Sequence, residues 1–199
     1  MLQVRPPEEI TAPPIVIRRY GGDELESLIE AVKSSLDHLR PWMPWAWAEP
    51  LEPSLTAFLT GAVEDFDRGG NFNYALWDSA RLSFVGGAGL HPRLGPGRLE
   101  IGYWVRVGWL RRGVASAAAR ALTTVAFQLP GIDEVHIRCD EANVASAGVP
   151  RKLGFRLLRT VEDDVDAPGE VGRSMEWLMV RGRWDEPPGH SSVGHTGGV

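Results

Sequence analysis

A strand that runs through a glycine turn into an alanine-rich helix constrains this chain more than any other segment. Residues 99–116 read Leu-Glu-Ile-Gly-Tyr-Trp-Val-Arg-Val-Gly-Trp-Leu-Arg-Arg-Gly-Val-Ala-Ser. The β-branched and aromatic residues of 99–107 predict a strand, whereas the alanines that follow Gly113 favour a helix. Gly113 and the two arginines before it fall at the helix N-terminus, where unpaired backbone N–H groups attract anions. The segment therefore predicts a turn that binds phosphate.

This turn lacks the common nucleotide-binding signatures. Neither Gly-x-x-x-x-Gly-Lys-Ser/Thr nor Gly-x-Gly-x-x-Gly is present at the helix start. Arg112-Gly113-Val114-Ala115 instead resembles the second half of the Arg/Gln-x-x-Gly-x-Gly/Ala loop of the GNAT acetyltransferase superfamily, which wraps the pyrophosphate of acetyl-coenzyme A. Leu110 stands where that superfamily often has Arg or Gln. Taken alone, the turn is equally consistent with an ordinary helix start.

A second segment extends the resemblance. Residues 143–155 read Asn-Val-Ala-Ser-Ala-Gly-Val-Pro-Arg-Lys-Leu-Gly-Phe and follow a strand-like run at 134–139. They resemble the Asn-x-x-Ser and Lys-Leu-Gly-Phe segments of the same superfamily, in the same order after the loop. The ribosomal-protein N-terminal acetyltransferase-like branch is the most similar, because it shares Gly-Tyr-Trp on the strand and Ser after the Asn. The resemblance covers about residues 15–181.

The fold that this resemblance implies is an α+β sandwich with a mixed, mostly antiparallel central sheet and helices on both faces. Apolar spacing predicts a first helix capped by Asp23 and a second over residues 52–68. Strands are predicted at residues 15–19, 73–78, 82–90, 155–162 and 173–181. We expect a flexible lead over residues 1–14, an acetyltransferase domain over 15–185 and a disordered tail over 186–199.

Composition limits the function classes. The chain has 199 residues, a net charge of −5 and 43% hydrophobic residues, which suits one domain with a full core. The acidic balance argues against general nucleic-acid binding, and the apolar runs are too short to span a bilayer. A single cysteine, Cys139, suits a reducing cytoplasm. We therefore expect a cytoplasmic protein with no nucleic-acid or membrane partner, and a homodimer stays open.

Direct acyl transfer from a thioester to an amine requires a proton acceptor, a donor for the oxyanion and a proton source for the leaving thiolate. The resemblance places Glu100 beside the acyl group, as the first candidate for the base, directly or through a water. An ion-paired strand carboxylate is the alternative interpretation of Glu100. Ser146, on the same helical face as Asn143, is the candidate proton donor to sulfur. Many relatives use a tyrosine for that step, but Pro150 occupies its position. Asn143 is expected to cap the helix and to touch cofactor or substrate.

Acetyl-CoA is the cosubstrate that the resemblance implies, and we expect no metal. Val105 and Val107 are expected to pair with the pantetheine amides as an added strand would. The pyrophosphate is expected at the turn formed by Arg111, Arg112, Gly113, Val114, Ala115 and Ser116. His136 and Cys139 point to opposite faces of one strand, so with Asp140 they do not predict a zinc site.

The acceptor pocket is expected at the Pro-Trp-Met-Pro-Trp-Ala-Trp loop, with Trp42, Trp45 and Trp47 as walls, although core packing is the more frequent role of such aromatics. His38, just before this loop, is a second candidate for the base. The predicted function is acetyl-CoA-dependent transfer to a primary amine, either a protein N-terminus or a small molecule. A non-catalytic acyl-CoA-binding module and a transferase for another acyl-CoA, such as succinyl-CoA, are the alternatives.

Overall fold

The computed structural model describes residues 4–184 and builds them around one sheet. The strands are β1 (Glu9–Ala12), β2 (Ile15–Arg19), β3 (Phe72–Asp78), β4 (Phe84–His91), β5 (Arg98–Val105), β6 (Glu134–Asp140), β7 (Arg156–Glu162) and β8 (Arg173–Val180). They lie in the order β1-β2-β3-β4-β5-β6-β8-β7. Among these strands β5 and β6 form the one parallel pair, which confirms the predicted mixed, mostly antiparallel sheet.

Helices cover both faces of the sheet, as predicted. They are α1 (Leu25–Lys33), α2 (Leu36–Leu39), α3 (Leu51–Arg68), α4 (Val114–Gln128), α5 (Val144–Lys152) and α6 (Arg181–Trp184). Successive side chains of a strand point to opposite faces, so Tyr74 and Leu76 enter one core with α4. Ala75, between them, enters a second core with α1 and α3. The two cores hold the sheet between two helical layers. No helix within residues 4–184 is long and apolar enough to cross a membrane.

The N-terminal segment departs from the prediction in two places. Glu9–Ala12 form a strand paired with β2 rather than a flexible lead, because Ile10 and Ala12 pack on the apolar core. Asp23 is not the cap of α1, which begins after Glu24. The buried Glu24 carboxylate instead accepts hydrogen bonds from the N–H groups of Gly21 and Gly22, both at 3.1 Å. The tail predicted over residues 186–199 lies outside the described residues.

The parallel pairing of β5 and β6 ends early. It runs from Arg98 to Glu100 on β5, where Glu100 lies opposite His136. The backbone N–H and C=O groups of alternate β5 residues point toward β6. Just before β5, the Gly97 carbonyl accepts from the Glu134 N–H at 3.1 Å, so the odd-numbered residues are the ones that point toward β6. The later members of that set face a gap in the sheet: Ile101, Tyr103 and Val105. Across this gap β5 and β6 do not pair with each other, although β5 stays paired with β4 and β6 with β8. The gap therefore exposes an unpaired strand edge inside the sheet.

We expect Gly86 in β4 to be required for this packing. A Cβ at Gly86 would lie 2.2 Å from the Trp104 carbonyl oxygen and 3.1 Å from the Val105 Cα. Because backbone would have to move, Gly86→Ala should lower the free energy of unfolding by about 1–3 kcal/mol. Gly61→Ala is the control, since a Cβ in that part of α3 meets nothing within 4 Å and should raise the free energy of unfolding by about 0.5–1 kcal/mol. Denaturant titration measures both, and a stable Gly86→Ala variant would contradict the expectation.

Candidate active site

A cavity of about 480 Å³ lies between the β4–β5 sheet surface and the loop that joins α2 to α3. Its floor is made of strand glycines, which leave room for two rings. A Cβ at Gly87 would lie 2.6 Å from Trp104 Nε1, and one at Gly89 would lie 2.8 Å from His91 Nε2. Gly102, opposite Gly89 on β5, adds a further bare position. The Trp104 and His91 rings therefore lie across glycines, which explains why these strands carry so many.

The aromatic loop forms one wall of the cavity. Trp42 and Trp45, two of the residues predicted for the acceptor pocket, line it together with Met43. The ring centroids of Trp45 and Trp104 are 5.9 Å apart, so the loop also packs on β5. This wall is apolar and aromatic, and it encloses one side of the cavity.

Two residues predicted for this pocket lie elsewhere. Trp47 is half-exposed, donates its Nε1–H to the Arg40 carbonyl at 2.9 Å and stacks against the Arg40 guanidinium. His38, on α2, is partly buried, and burial lowers its pKa. Neither side chain is among those that line the cavity. The proline-rich loop turns after Trp45, so its three tryptophans do not share one surface.

Glu100 lines the cavity as a buried, ion-paired carboxylate that is 4% exposed. Arg93 donates to both of its oxygens, through Nε at 2.9 Å and through a second, shorter bond. Arg138, from β6, donates through Nε at 3.1 Å. Burial on its own raises the pKa of Glu100, but the bonds and charges of the two arginines outweigh it and hold the pKa below its ordinary value. Glu100 is therefore ionised at neutral pH, with guanidinium donors on both oxygens.

Asn143 and Ser146 meet at the start of α5. The Asn143 side chain accepts from the Ser146 N–H at 3.0 Å, which confirms the predicted cap. Both side chains also line the cavity. The Ser146 Oγ lies 3.3 Å from the hydroxyl of Tyr103, a residue of the open β5 edge. Ser146 therefore faces the gap between β5 and β6.

Pro150 accounts for the contact with Tyr103. In an α-helix the carbonyl of Ser146 accepts from the N–H of residue 150, which proline lacks. The Tyr103 hydroxyl donates to that carbonyl instead, at 3.1 Å. Burial raises the pKa of Tyr103, so the hydroxyl stays protonated at neutral pH. Sequence reasoning missed Tyr103, although a proline four residues after Ser146 signals a helix carbonyl in need of an outside donor.

The predicted phosphate turn has the geometry of an anion site. Gly113 has φ of +80°, a conformation that favours glycine, and precedes α4 as its N-cap. The first intrahelical bond joins the Ala117 N–H to the Gly113 carbonyl at 2.9 Å. Arg111 is exposed, and the Arg112 guanidinium stacks on the Trp109 ring at 4.8 Å. The N–H groups of Val114, Ala115 and Ser116 therefore have no intrahelical acceptor.

Of the two valines predicted to grip pantetheine, the structure places one at the open edge. Val105 is the last residue of β5 and belongs to the set that faces the gap. Val107 lies beyond the strand, in a 3-10 turn over Val107–Trp109. Its N–H donates to the Ser35 Oγ at 3.0 Å and its carbonyl accepts from the Leu110 N–H at 3.3 Å. The predicted strand over residues 99–107 thus ends at Val105, and the backbone of Val107 is already engaged.

Within residues 4–184, no three His, Cys, Asp or Glu side chains come together as a metal site. His136 pairs instead with Glu134 at 3.0 Å. Cys139 lines the cavity and is half-buried, and burial raises the pKa of its thiol. The site therefore consists of an open strand edge, an anion-binding turn and a cavity that carries polar groups.

An open strand edge that leads to a helix N-terminus with free N–H groups fits an extended ligand that carries phosphates. The chain belongs to the GNAT acetyltransferase family, because residues 15–156, more than half of its length, match the family described as "Acetyltransferase (GNAT) domain". The fold and the family agree with the expectation drawn from the two sequence motifs.

One relative in sequence and two solved structures with the same fold are similar to this chain. The Bacillus subtilis (strain 168) protein named "Putative ribosomal N-acetyltransferase YdaF" is 36% identical over 88 residues, which cover 44% of this chain and 48% of that protein. The chain thus spans about half the length of this curated relative. The coenzyme A complex of RimL, a ribosomal L7/L12 alpha-N-protein acetyltransferase, superposes with a TM-score of 0.78 at 19% identity, covering 87% of this chain and 98% of RimL. The microcin C7 self-immunity acetyltransferase MccE, bound to acetyl-CoA and AMP, gives 0.79 at 15% identity, with 87% and 97% covered.

The ion pairs of Glu100 predict a pH-dependent contribution to stability. A carboxylate whose folded pKa is depressed stabilises the fold above its unfolded pKa, and this stabilisation is lost as pH falls through the folded pKa. Glu100→Gln should therefore lower the free energy of unfolding by about 1–3 kcal/mol at pH ~7, and by less at pH ~3. Glu9→Gln is the matched control, because its pair with Arg81 at 2.8 Å is exposed and should change it by no more than about 1 kcal/mol. Denaturant unfolding at both pH values measures the difference, and a pH-independent cost would contradict the assignment.

Proposed function

We propose that this protein is an acetyl-CoA-dependent N-acetyltransferase that passes the acetyl group directly to a primary amine within a ternary complex. The observation that carries the proposal is the gap after Glu100, where β5 offers unpaired backbone groups that lead toward the anion-binding turn before α4. A donor with two amides and a pyrophosphate matches that order of features. The aromatic cavity supplies a separate space for the acceptor, as a ternary complex requires.

The donor is proposed to bind mainly through the backbone. Ile101, Tyr103 and Val105 present the groups that pair with the pantetheine amides. The N–H groups that follow Gly113 take the pyrophosphate, and Arg111 and Arg112 add positive charge beside it. Asn143, at the start of α5, contacts the donor near its thioester. This arrangement places the thioester between the open strand edge and Ser146.

The reaction proposed is a direct displacement. The amine nitrogen bonds to the thioester carbon, the carbonyl pair moves to oxygen, and the amine gives up a proton. The tetrahedral intermediate then expels the thiolate, which takes a proton from the Ser146 hydroxyl. Tyr103 holds that hydroxyl at 3.3 Å and positions it. Glu100 contributes its negative charge beside the amine, but Arg93 and Arg138 engage its oxygens, so it is not the direct acceptor of the amine proton.

A protein N-terminus is the acceptor class that the relatives suggest. A Salmonella typhimurium acetyltransferase that modifies the N-terminal serine of ribosomal protein L7/L12 shares the fold, with a TM-score of 0.75 at 18% identity. The cavity beside Trp42 and Trp45, at about 480 Å³, is the space proposed to receive an extended peptide end or a small amine. A cytoplasmic site of action belongs to this proposal.

Acetyl-CoA should bind and stabilise the protein, and Gly113→Val should weaken that binding. Ligand at about a hundred times Kd adds roughly 2.7 kcal/mol, or about 5–10 °C in Tm for this size. Gly95→Val is the matched control, because both glycines have positive φ and open space at the Cβ position but Gly95 lies away from the turn.

Thermal shift measures binding of acetyl-CoA, and thiol release measures transfer. The acceptors are a peptide that begins with Ser, a peptide that begins with Ala, and 2-phenylethylamine. Equal loss of acetyl-CoA affinity in both variants would contradict a phosphate site at the Gly113 turn. Binding of acetyl-CoA without transfer to any acceptor would indicate a non-catalytic module. The same assays with succinyl-CoA test the other acyl donor.

Ser146→Ala should lower kcat by about ten- to a thousandfold with little change in acetyl-CoA affinity, because general acid catalysis supplies that range. Tyr103→Phe should lower kcat by less, since Ser146 keeps its hydroxyl and loses only the contacts that Tyr103 makes with its Oγ and its carbonyl. The selenium analogue of acetyl-CoA, whose selenolate leaves without protonation, should reduce both losses. Ser34→Ala is the control, because Ser34 bonds only the Ala31 carbonyl outside the cavity. A loss that is the same for sulfur and selenium would show that Ser146 does not protonate the leaving group.

A further inference from the structure

The amine proton needs an acceptor, and the residues predicted for that task are poorly placed. Both oxygens of Glu100 accept hydrogen bonds from guanidinium groups, and His38 is outside the cavity. His91, the last residue of β4, lines the cavity and lies opposite Glu100 on the neighbouring strand. Sequence reasoning gave it no role. Its position at the floor of the cavity makes it the histidine to consider.

The hydrogen bonds around His91 determine which ring nitrogen carries the proton. The Asn71 amide nitrogen donates to the Asp65 carboxylate at 3.2 Å, so the Asn71 oxygen faces the ring. That oxygen lies 3.0 Å from His91 Nδ1 and only accepts hydrogen bonds. Nδ1 of the neutral ring must therefore be the donor, which leaves the lone pair on Nε2. The series Asp65–Asn71–His91 orients a base in the way that a third group orients the base of a catalytic triad.

The lone pair of Nε2 lies over bare backbone. A Cβ at Gly89 would be 2.8 Å from Nε2, and one at Gly102 would be 3.4 Å from it. Gly102 directly precedes Tyr103 on the open edge of β5. Nε2 thus lies beside the stretch of β5 on which the thioester is proposed to rest, with no side chain of these two positions in between.

We propose that His91 Nε2 accepts the amine proton as the nitrogen attacks the thioester. This inference rests on the proposed function and names the base for it. The N–C bond forms, one N–H proton passes to Nε2, and the C–S bond breaks with its electron pair on sulfur. The sulfur takes its proton from Ser146, and the imidazolium proton passes through solvent to the Ser146 oxygen, so that both residues are restored. No oxidant, reductant or further reactant is needed.

The charges around the ring keep it unprotonated before the reaction. Burial and the positive charge of Arg93 lower the pKa of His91 to about 4, and the Glu100 carboxylate opposes them in part. Arg138 faces Glu100 from β6, and Asp65 reaches the ring only through Asn71. The ring is therefore unprotonated at neutral pH and ready to accept. Once formed, the imidazolium lies beside the Glu100 charge, which stabilises it.

The test uses His91→Ala with the whole chain, acetyl-CoA and the three acceptors named above. We expect kcat to fall by about 10²- to 10⁴-fold while KM for acetyl-CoA stays within about twofold. Added imidazole should restore the rate in a saturable way, because the shortened side chain leaves a space over Gly89 and Gly102. His38→Gln is the comparison, since it replaces the other candidate outside the cavity. A large loss in His38→Gln with a normal rate in His91→Ala would overturn the proposal, as would a loss that imidazole does not rescue.

Nitrogen NMR of the wild-type protein tests the same proposal without any acceptor. At neutral pH His91 should show a protonated Nδ1 and a bare Nε2, and Asn71→Ala should mix the two tautomers. A protonated Nε2 in the wild type would overturn the proposal even if the His91→Ala variant did not fold. Wild-type protein that binds acetyl-CoA but acetylates none of the three amines, with the expected tautomer present, would instead count against the proposed function.

Discussion

The short parallel pairing of β5 with β6 determines where the parts of the site lie. Pairing of β5 with β6 ends at Glu100, and there the carboxylate is held by Arg93, from the segment after β4, and by Arg138, from β6. The ion cluster thus joins the strands at the point where the sheet begins to open. Beyond it, unpaired backbone groups carry a free-energy cost. In the binding mode proposed above, the amides of the donor pair with these groups and complete the sheet.

Local rules predicted the elements that frame the site. The strand, the glycine turn and α4 follow from β-branched residues, Gly113 and alanines that are adjacent in the chain. The cap formed by Asn143 is likewise a contact between residues three positions apart. The predicted strand end at Val107 was wrong, since Val107 has a β-forming side chain but its N–H donates to Ser35, 72 positions away. Propensity alone does not contain such a contact.

The chemistry inside the cavity depends on pairings between distant segments. Glu100 was found from the sequence because it lies on the strand before the turn, but Arg138 comes from another strand and changes what its carboxylate can do. His91 was missed for a related reason. The role proposed for His91 depends on the absence of side chains at Gly89 and Gly102, and these two glycines become neighbours only when β4 and β5 pair. The glycines could be seen in the sequence, but the register of β4 and β5 is needed to show that Gly89 and Gly102 lie side by side.

The proline in α5 couples two positions that are distant in the chain, 103 and 150. Pro150 leaves the Ser146 carbonyl without a helical donor, and the Tyr103 hydroxyl fills that place. A residue with an N–H at position 150 would free the Tyr103 hydroxyl from the Ser146 carbonyl, whereas loss of the hydroxyl while Pro150 is present would leave that carbonyl without a donor. The order of substitution therefore matters, and the two sites are expected to change together rather than drift apart. Within the family, the nature of residue 150 should forecast whether the tyrosine of this strand is free to vary.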